Sequence, residues 1–177
     1  MTFVTRRTVL AGVVGTGVMG AVAGTTLATL PTVVPADLPT LRVFDPRAAA
    51  ILAAVASTLC PGGDGLPDAS AVDVTGKVDR LLASMHPAVV DELSVLLRLL
   101  DSALFGLLLD GRARPFTACD VAARAAGLER WRTSRIPQRR TGYRALHGLI
   151  AAAYWSDPRT YSTTGYPGSP FAQGGQP

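Results

Sequence analysis

From residue 45 onward, apolar positions return every three or four residues, the period of helices with one buried face. Asp45-Pro46 opens the first, pairing an acceptor side chain at the cap with a ring that fits the first helical position. Ile51, Leu52, Val55 and Leu59 continue it until Pro61-Gly62-Gly63 stops it. Val74, Val78, Leu81, Leu82 and Met85 share one face of a second helix. Pro87 opens a third and longest, running to about Asp110, whose leucines at 93, 96, 97, 99, 100, 104, 107 and 108 cover more than one side. A helix so apolar belongs in the centre of a bundle or under a partner. Thr117-x-x-Asp120 reads as a capping-box-like start for a fourth, alanine-rich helix ending near Gly127. Pro137 starts a fifth, with Tyr143, Leu146, Ile150 and Tyr154 in one stripe, ending near Trp155; Asp157-Pro158 caps one more short turn. No segment alternates with period two long enough to form a strand. The expected fold is therefore all-α, a small bundle of about five helices.

The chain's first 30 residues follow a different pattern. No charged residue occurs from Thr8 to Ala36, and Arg6-Arg7 with Leu10 precede a modest apolar run from Val9 to Leu30. Paired arginines before such a run are the pattern of a twin-arginine export signal, read by the twin-arginine translocase. About 20 apolar residues also suffice to span a bilayer, but Gly12, Gly15, Gly17, Gly20 and Gly24 dilute this run and weaken a plain membrane helix. Ala21 and Ala23 offer a cleavage site, and retention as an uncleaved anchor is the other outcome. The boundaries expected are a signal or anchor over 1–30, a linker over 31–40 marked by Pro31, Pro35 and Pro39, a helical domain over 41–165, and a glycine- and proline-rich tail over 166–177.

Length and composition allow one domain: 177 residues, 48% hydrophobic and 17% charged, enough to bury a core without disulfide or metal staples. The formal charge of +4 includes Arg6 and Arg7 in the signal, and Lys77 is the sole lysine. Seven arginines fall between Arg124 and Arg144 against the single acid Glu129, yet no aromatics alternate with them as a single-strand platform requires. They read as a solvated or partner-facing surface, with no nucleic acid expected. Cys60 and Cys119 are too few for a metal framework. In an exported chain they could pair, a bridge contributing about 4 kcal/mol in the chain-entropy model, or remain two buried thiols that never meet.

The supply of chemistry is thin. The loop from Gly62 to Ser70 carries Asp64 and Asp68 but lacks the alternating oxygens and terminal glutamate of a calcium loop. The two histidines, His86 and His147, have no metal-binding spacing and no cysteine near them in sequence. No nucleophile elbow, phosphate loop or dinucleotide fingerprint occurs beyond the signal. No catalytic, cofactor-binding or metal-ligating residue is therefore expected in this chain. An independent enzyme would require His147, or the Asp64 and Asp68 loop, to meet other polar groups in one pocket.

One resemblance is specific. Ala153-Tyr154-Trp155-Ser156-Asp157-Pro158, Tyr161 and Gly165-Tyr166-Pro167-Gly168-Ser169-Pro170 resemble the ending of the gluconate 2-dehydrogenase subunit 3 family. That ending is typically an aromatic pair, a small residue, Asp-Pro, a bulky aromatic and then G-Y-P-G-P; here Ser169 interrupts the final pair and Tyr161 stands where tryptophan is frequent. The helix before Pro61-Gly62-Gly63 and the twin-arginine start extend the similarity along most of the chain. The resemblance implies a non-catalytic small subunit of an exported complex that oxidises a sugar, sugar acid or alcohol. FAD would reside in a GMC-type flavoprotein partner, often with a cytochrome c subunit as electron acceptor, and the small subunit's signal would carry both proteins to the periplasm or the outer face of the cytoplasmic membrane. Tyr154, Trp155, Tyr161, Tyr166 and Pro167 are the expected docking residues. The competing expectation is a stand-alone exported helical protein that holds an apolar ligand between its leucine-rich helices.

Overall fold

The computed structural model describes residues 30–161 and 164–166. Arg6, Arg7 and Leu10 of the signal, and Pro167 of the tail, lie outside the described residues. What is described is all-α. Seven helices occur, α1 (Pro46–Leu59), α2 (Val74–Leu82), α3 (Pro87–Asp101), α4 (Ala103–Asp110), α5 (Val121–Arg132), α6 (Pro137–Trp155) and α7 (Pro158–Tyr161), with a 3-10 turn over Phe116–Ala118.

The helix starts obey local chemistry. Asp45 caps α1 by accepting from the Ala48 amide at 2.7 Å, and Asp120 caps α5 through the Ala123 amide at 2.8 Å. His86 caps α3 with its Nδ1, which accepts from the Ala88 amide at 3.2 Å. Prolines occupy the first turns of α1, α3 and α6.

Alanine-rich α1 is the central element, packed against α2, α3, α5, α6 and the 3-10 turn. Ile51, Leu52 and Val55 on it are fully buried, and around them close Val74, Val78, Leu82, Leu97, Leu100, Phe116, Leu146 and Ile150. Small side chains let helices approach closely: a methyl group added at Gly142 of α6 would sit 2.6 Å from Leu96 and 3.2 Å from Trp131.

Several expectations are corrected. The long third helix is broken at Ser102, whose extended backbone (φ −60°, ψ 119°) ends α3 while its hydroxyl accepts from the Phe105 amide to cap α4. Its leucines therefore do not share one central helix: Leu93, Leu97 and Leu100 are buried, whereas Leu107 and Leu108 are exposed. Leu81 and Met85 also leave the buried face of α2 and are about two-fifths exposed. Thr117 is no helix cap, since its amide and hydroxyl both donate to Asp101 at 2.9 Å. The helix capped by Asp120 continues past Gly127 to Arg132.

The segment before α1 is extended, as its prolines require, but it is also a strap fastened to the domain. Two buried carboxylates hold it. Asp79 of α2, 2% exposed, accepts from the amides of Arg42 at 2.8 Å, Val43 at 3.0 Å and Phe44 at 3.4 Å. Asp101 of α3, 1% exposed, accepts from the Thr32 hydroxyl at 2.6 Å, while the Thr117 hydroxyl it also holds accepts from the Val33 amide at 3.1 Å. A buried carboxylate is tolerated where several donors face it, so both positions use the strap to satisfy a charge that the helices leave inside.

Candidate functional site

Residues far apart in sequence meet in a cleft of about 340 Å³ between the end of α1 and the second half of α6. Leu59, Cys60 and the Pro61–Asp64 loop form one wall. His147, Ile150, Ala151, Tyr154 and Trp155 form the other, and their spacing of three, four, seven and eight is one helical face. The loop after α1 and the aromatic end of α6, remote in sequence, are thus brought together.

The loop wall is rigidly built. Gly63 and Leu66 exchange amide hydrogen bonds at 3.0 and 2.9 Å, and the Ala69 amide donates to the Cys60 carbonyl at 3.0 Å. Gly62 turns the chain with φ of 77°, and an added methyl there would meet the Asp68 amide nitrogen at 2.9 Å. Across the cleft the Tyr154 hydroxyl donates to the Pro67 carbonyl at 2.7 Å, clasping α6 to the loop. Burial raises the Tyr154 phenol, and the nearby Cys60 and Asp68 push it further in the same direction.

Asp68 accepts from the Ser70 hydroxyl at 2.6 Å and from the Ser70 and Ala71 amides at 2.8 Å. Those bonds, the hydroxyl's first, hold its carboxyl below the usual range. Among the described residues no three acidic, histidine or cysteine side chains are grouped to hold a metal ion.

Cys60 and His147 do share the cleft, although 87 positions separate them in sequence. Their meeting was invisible to spacing because it depends on how α1 and α6 pack. A thiol beside an imidazole can in principle serve nucleophilic chemistry. Here no hydrogen bond joins the two, and burial raises the Cys60 thiol, the opposite of activation. The His147 ring instead lies 5.6 Å from that of Tyr143. Cys60 and Cys119 are both free thiols in the structure, and Cys119 Sγ donates to the Pro115 carbonyl at 3.3 Å.

The expected docking aromatics divide. Tyr154 is 4% exposed and its hydroxyl is committed to the clasp, so it builds the cleft rather than projecting from it. Trp155, 46% exposed, stands edge-on to Tyr154 with ring centres 5.2 Å apart. Tyr166 is likewise open and meets half-buried Tyr161 edge-on at 5.3 Å.

The arginine-rich stretch mostly serves the fold. Arg139 is buried, reaches Asp110 at 2.6 Å and stacks on Trp131 at 5.2 Å, and Arg130 approaches the same carboxylate at 3.5 Å. Arg124 donates to the carbonyls of Phe116 and Thr117, and Arg140 to that of Ser134. Arg132 pairs with Glu129.

A second cleft of about 380 Å³ lies between the strap and α1, floored by Ala50, Ala53 and Ala54 with Asp73 and Arg124 at its edge. Among the described residues no helix is long and apolar enough to cross a membrane. Comparisons of the chain with protein-family models, with curated proteins and with solved structures give no match.

Proposed function

We propose that this protein is the non-catalytic small subunit of an exported, FAD-dependent dehydrogenase complex acting on a sugar, sugar acid or alcohol. It would supply the twin-arginine signal for a flavoprotein that crosses the membrane already folded, and its domain would hold that partner. The observation that best supports this reading is the convergence of the Pro61–Asp64 loop with Trp155 on one cleft. Trp155, half exposed at the end of α6, lines this cleft together with the loop. Exposed aromatic rings beside a preformed apolar cleft are the composition of a protein-binding hot spot.

The test is co-purification. A tagged full-length copy, expressed with the genes that neighbour its own, is expected to bring down a flavoprotein whose flavin absorbance appears in the eluate. Trp155→Ala combined with Tyr166→Ala should reduce the flavin recovered, and Arg6→Lys with Arg7→Lys should abolish export of both proteins. A chain that purifies alone, or that binds flavin or turns over substrate unaided, would overturn the reading.

A further inference from the structure

The fold holds one arginine between an indole ring and a carboxylate, and its main cleft offers the same two groups without the arginine. Inside the fold the Arg139 guanidinium lies 5.2 Å from the centre of the Trp131 ring and reaches the Asp110 carboxylate at 2.6 Å, with the side chains of both ion-pair partners almost fully buried. That arrangement uses what a guanidinium provides: a flat face that stacks on an aromatic ring, and an edge of N–H donors that meets carboxylate oxygens. Trp155, the other of the chain's two tryptophans, lines the cleft between α1 and α6, and Asp64 lines it from the facing loop.

Asp64 is set in place by the backbone. With Gly65 it forms the central pair of a tight turn: both have positive φ, 52 and 83°, and Gly63 and Leu66 close the turn with amide bonds at 3.0 and 2.9 Å. Aspartate followed by glycine suits such a two-residue turn. Its carboxylate differs from that of Asp68, which the Ser70 hydroxyl and the Ser70 and Ala71 amides engage. Among the described residues no donor bonds Asp64 and no cation pairs with it. It is the only acid lining the cleft, and no lysine or arginine lines it. Asp64 is exposed and Trp155 is nearly half exposed, so both stay open to a group from outside.

We infer that this cleft receives an arginine side chain of a protein partner, with its guanidinium against Trp155 and its N–H edge toward Asp64. A volume of about 340 Å³ takes a single long side chain rather than a folded element, and the apolar walls suit an aliphatic stem. Lysine would bring a point charge but no plane to stack, and an apolar side chain would leave the carboxylate beside it without a partner. Trp and Arg are also the residues in which interface binding energy concentrates. The inference rests on the reading above only for whose arginine it is, namely the flavoprotein's.

The test needs no partner protein. N-acetyl-arginine amide is titrated into the full-length chain while the indole N–H signals of its two tryptophans are followed by NMR. The Trp155 signal is expected to shift saturably and the Trp131 signal to stay, because Arg139 already occupies that ring. N-acetyl-citrulline amide, which keeps the shape of the probe without its charge, should bind about fivefold more weakly, and Asp64→Asn should weaken the arginine probe about threefold. Asparagine followed by glycine suits the turn as well as aspartate does, and an unmoved Trp131 signal checks that the variant is folded. Equal binding of the citrulline probe, full affinity in Asp64→Asn, or no saturable shift at Trp155 would overturn the inference. Such a failure leaves the escort reading standing, since a flavoprotein can dock without an arginine in this cleft. A saturable, charge-dependent shift supports the inference even if co-purification fails, and the arginine would then belong to a different protein.

Discussion

Helices α1 and α4 are both built almost wholly of apolar residues, yet one is the centre of the molecule and the other lies open. On α1 six of fourteen residues are alanine, and Ala48 through Leu52, with Ala54, Val55 and Ala56, are all buried. On α4 four of eight residues are leucine, and the three leucines of its second half are exposed. Greater hydrophobicity did not win the interior. Small residues let α1 be approached from several directions at once, and many close neighbours matter more to a core position than the size of any one side chain.

The comparison can be sharpened first where the effect is largest. Leu52 of α1 is completely buried, so Leu52→Ala removes buried methyl groups and leaves a cavity. A loss of about 2–5 kcal/mol is expected from denaturant unfolding. A change below about 1 kcal/mol would show that α1 is not the keystone of the packing.

Asp101 comes next, because it joins the two regions. It fastens the strap and the 3-10 turn to the α3–α4 junction through Thr32 and Thr117, and Arg47 of α1 approaches it at 3.9 Å. Asp101→Ala strands the Thr117 hydroxyl and amide and is expected to cost about 1–3 kcal/mol. It should also free residues 30–34, seen as faster amide exchange at Val33. Unchanged exchange at Val33 would mean that the strap is held by other contacts.

How much of this could be read from the amino-acid order depends on which interactions are local. The starts at Asp45-Pro46, Pro87 and Pro137 and the stop at Pro61-Gly62-Gly63 were legible, because caps and breakers act within a few residues. The break at Ser102 was not, since apolar periodicity runs straight through it and only a serine flanked by leucine-rich segments marked the place. Asp79 and Asp101 carried a weak signal, an acid set within an apolar stripe, but the strap groups they accept from lie 35 to 69 positions away along the chain. The cleft was legible only as two separate segments. That Cys60 and His147 line it together follows from how α1 and α6 pack, which no spacing along one helix encodes.

A smaller effect, confined to acid, is expected just past the C-terminal end of α6. Asp157 accepts from Lys77 of α2 at 3.0 Å and from the Arg159 guanidinium at 2.9 and 3.0 Å. Those bonds, Arg159 first and Lys77 second, hold its carboxyl far below its ordinary value of 3.8. A carboxyl depressed in the folded state contributes stability that is complete above the unfolded value and is lost as pH falls toward the folded one. Asp157→Asn should therefore unfold with a flatter pH dependence below about pH 4 than the parent chain. Parallel acid-unfolding curves would show that this carboxyl does not link α2 to α6 in solution.

The smallest effect returns to the opening contrast. Leu108 carries as much apolar surface as Leu52 but is 66% exposed. Leu108→Ala deletes side-chain atoms that water already covers and leaves no cavity, and alanine is the better helix former. Unfolding of the full-length chain is expected to shift by no more than about 0.5 kcal/mol in either direction, against several for the same substitution at Leu52. A loss at Leu108 approaching that at Leu52 would mean that another part of the chain covers α4 in solution. A flat result would leave its leucines as surface that contributes nothing to the isolated fold, and would place their purpose in contact with something outside it.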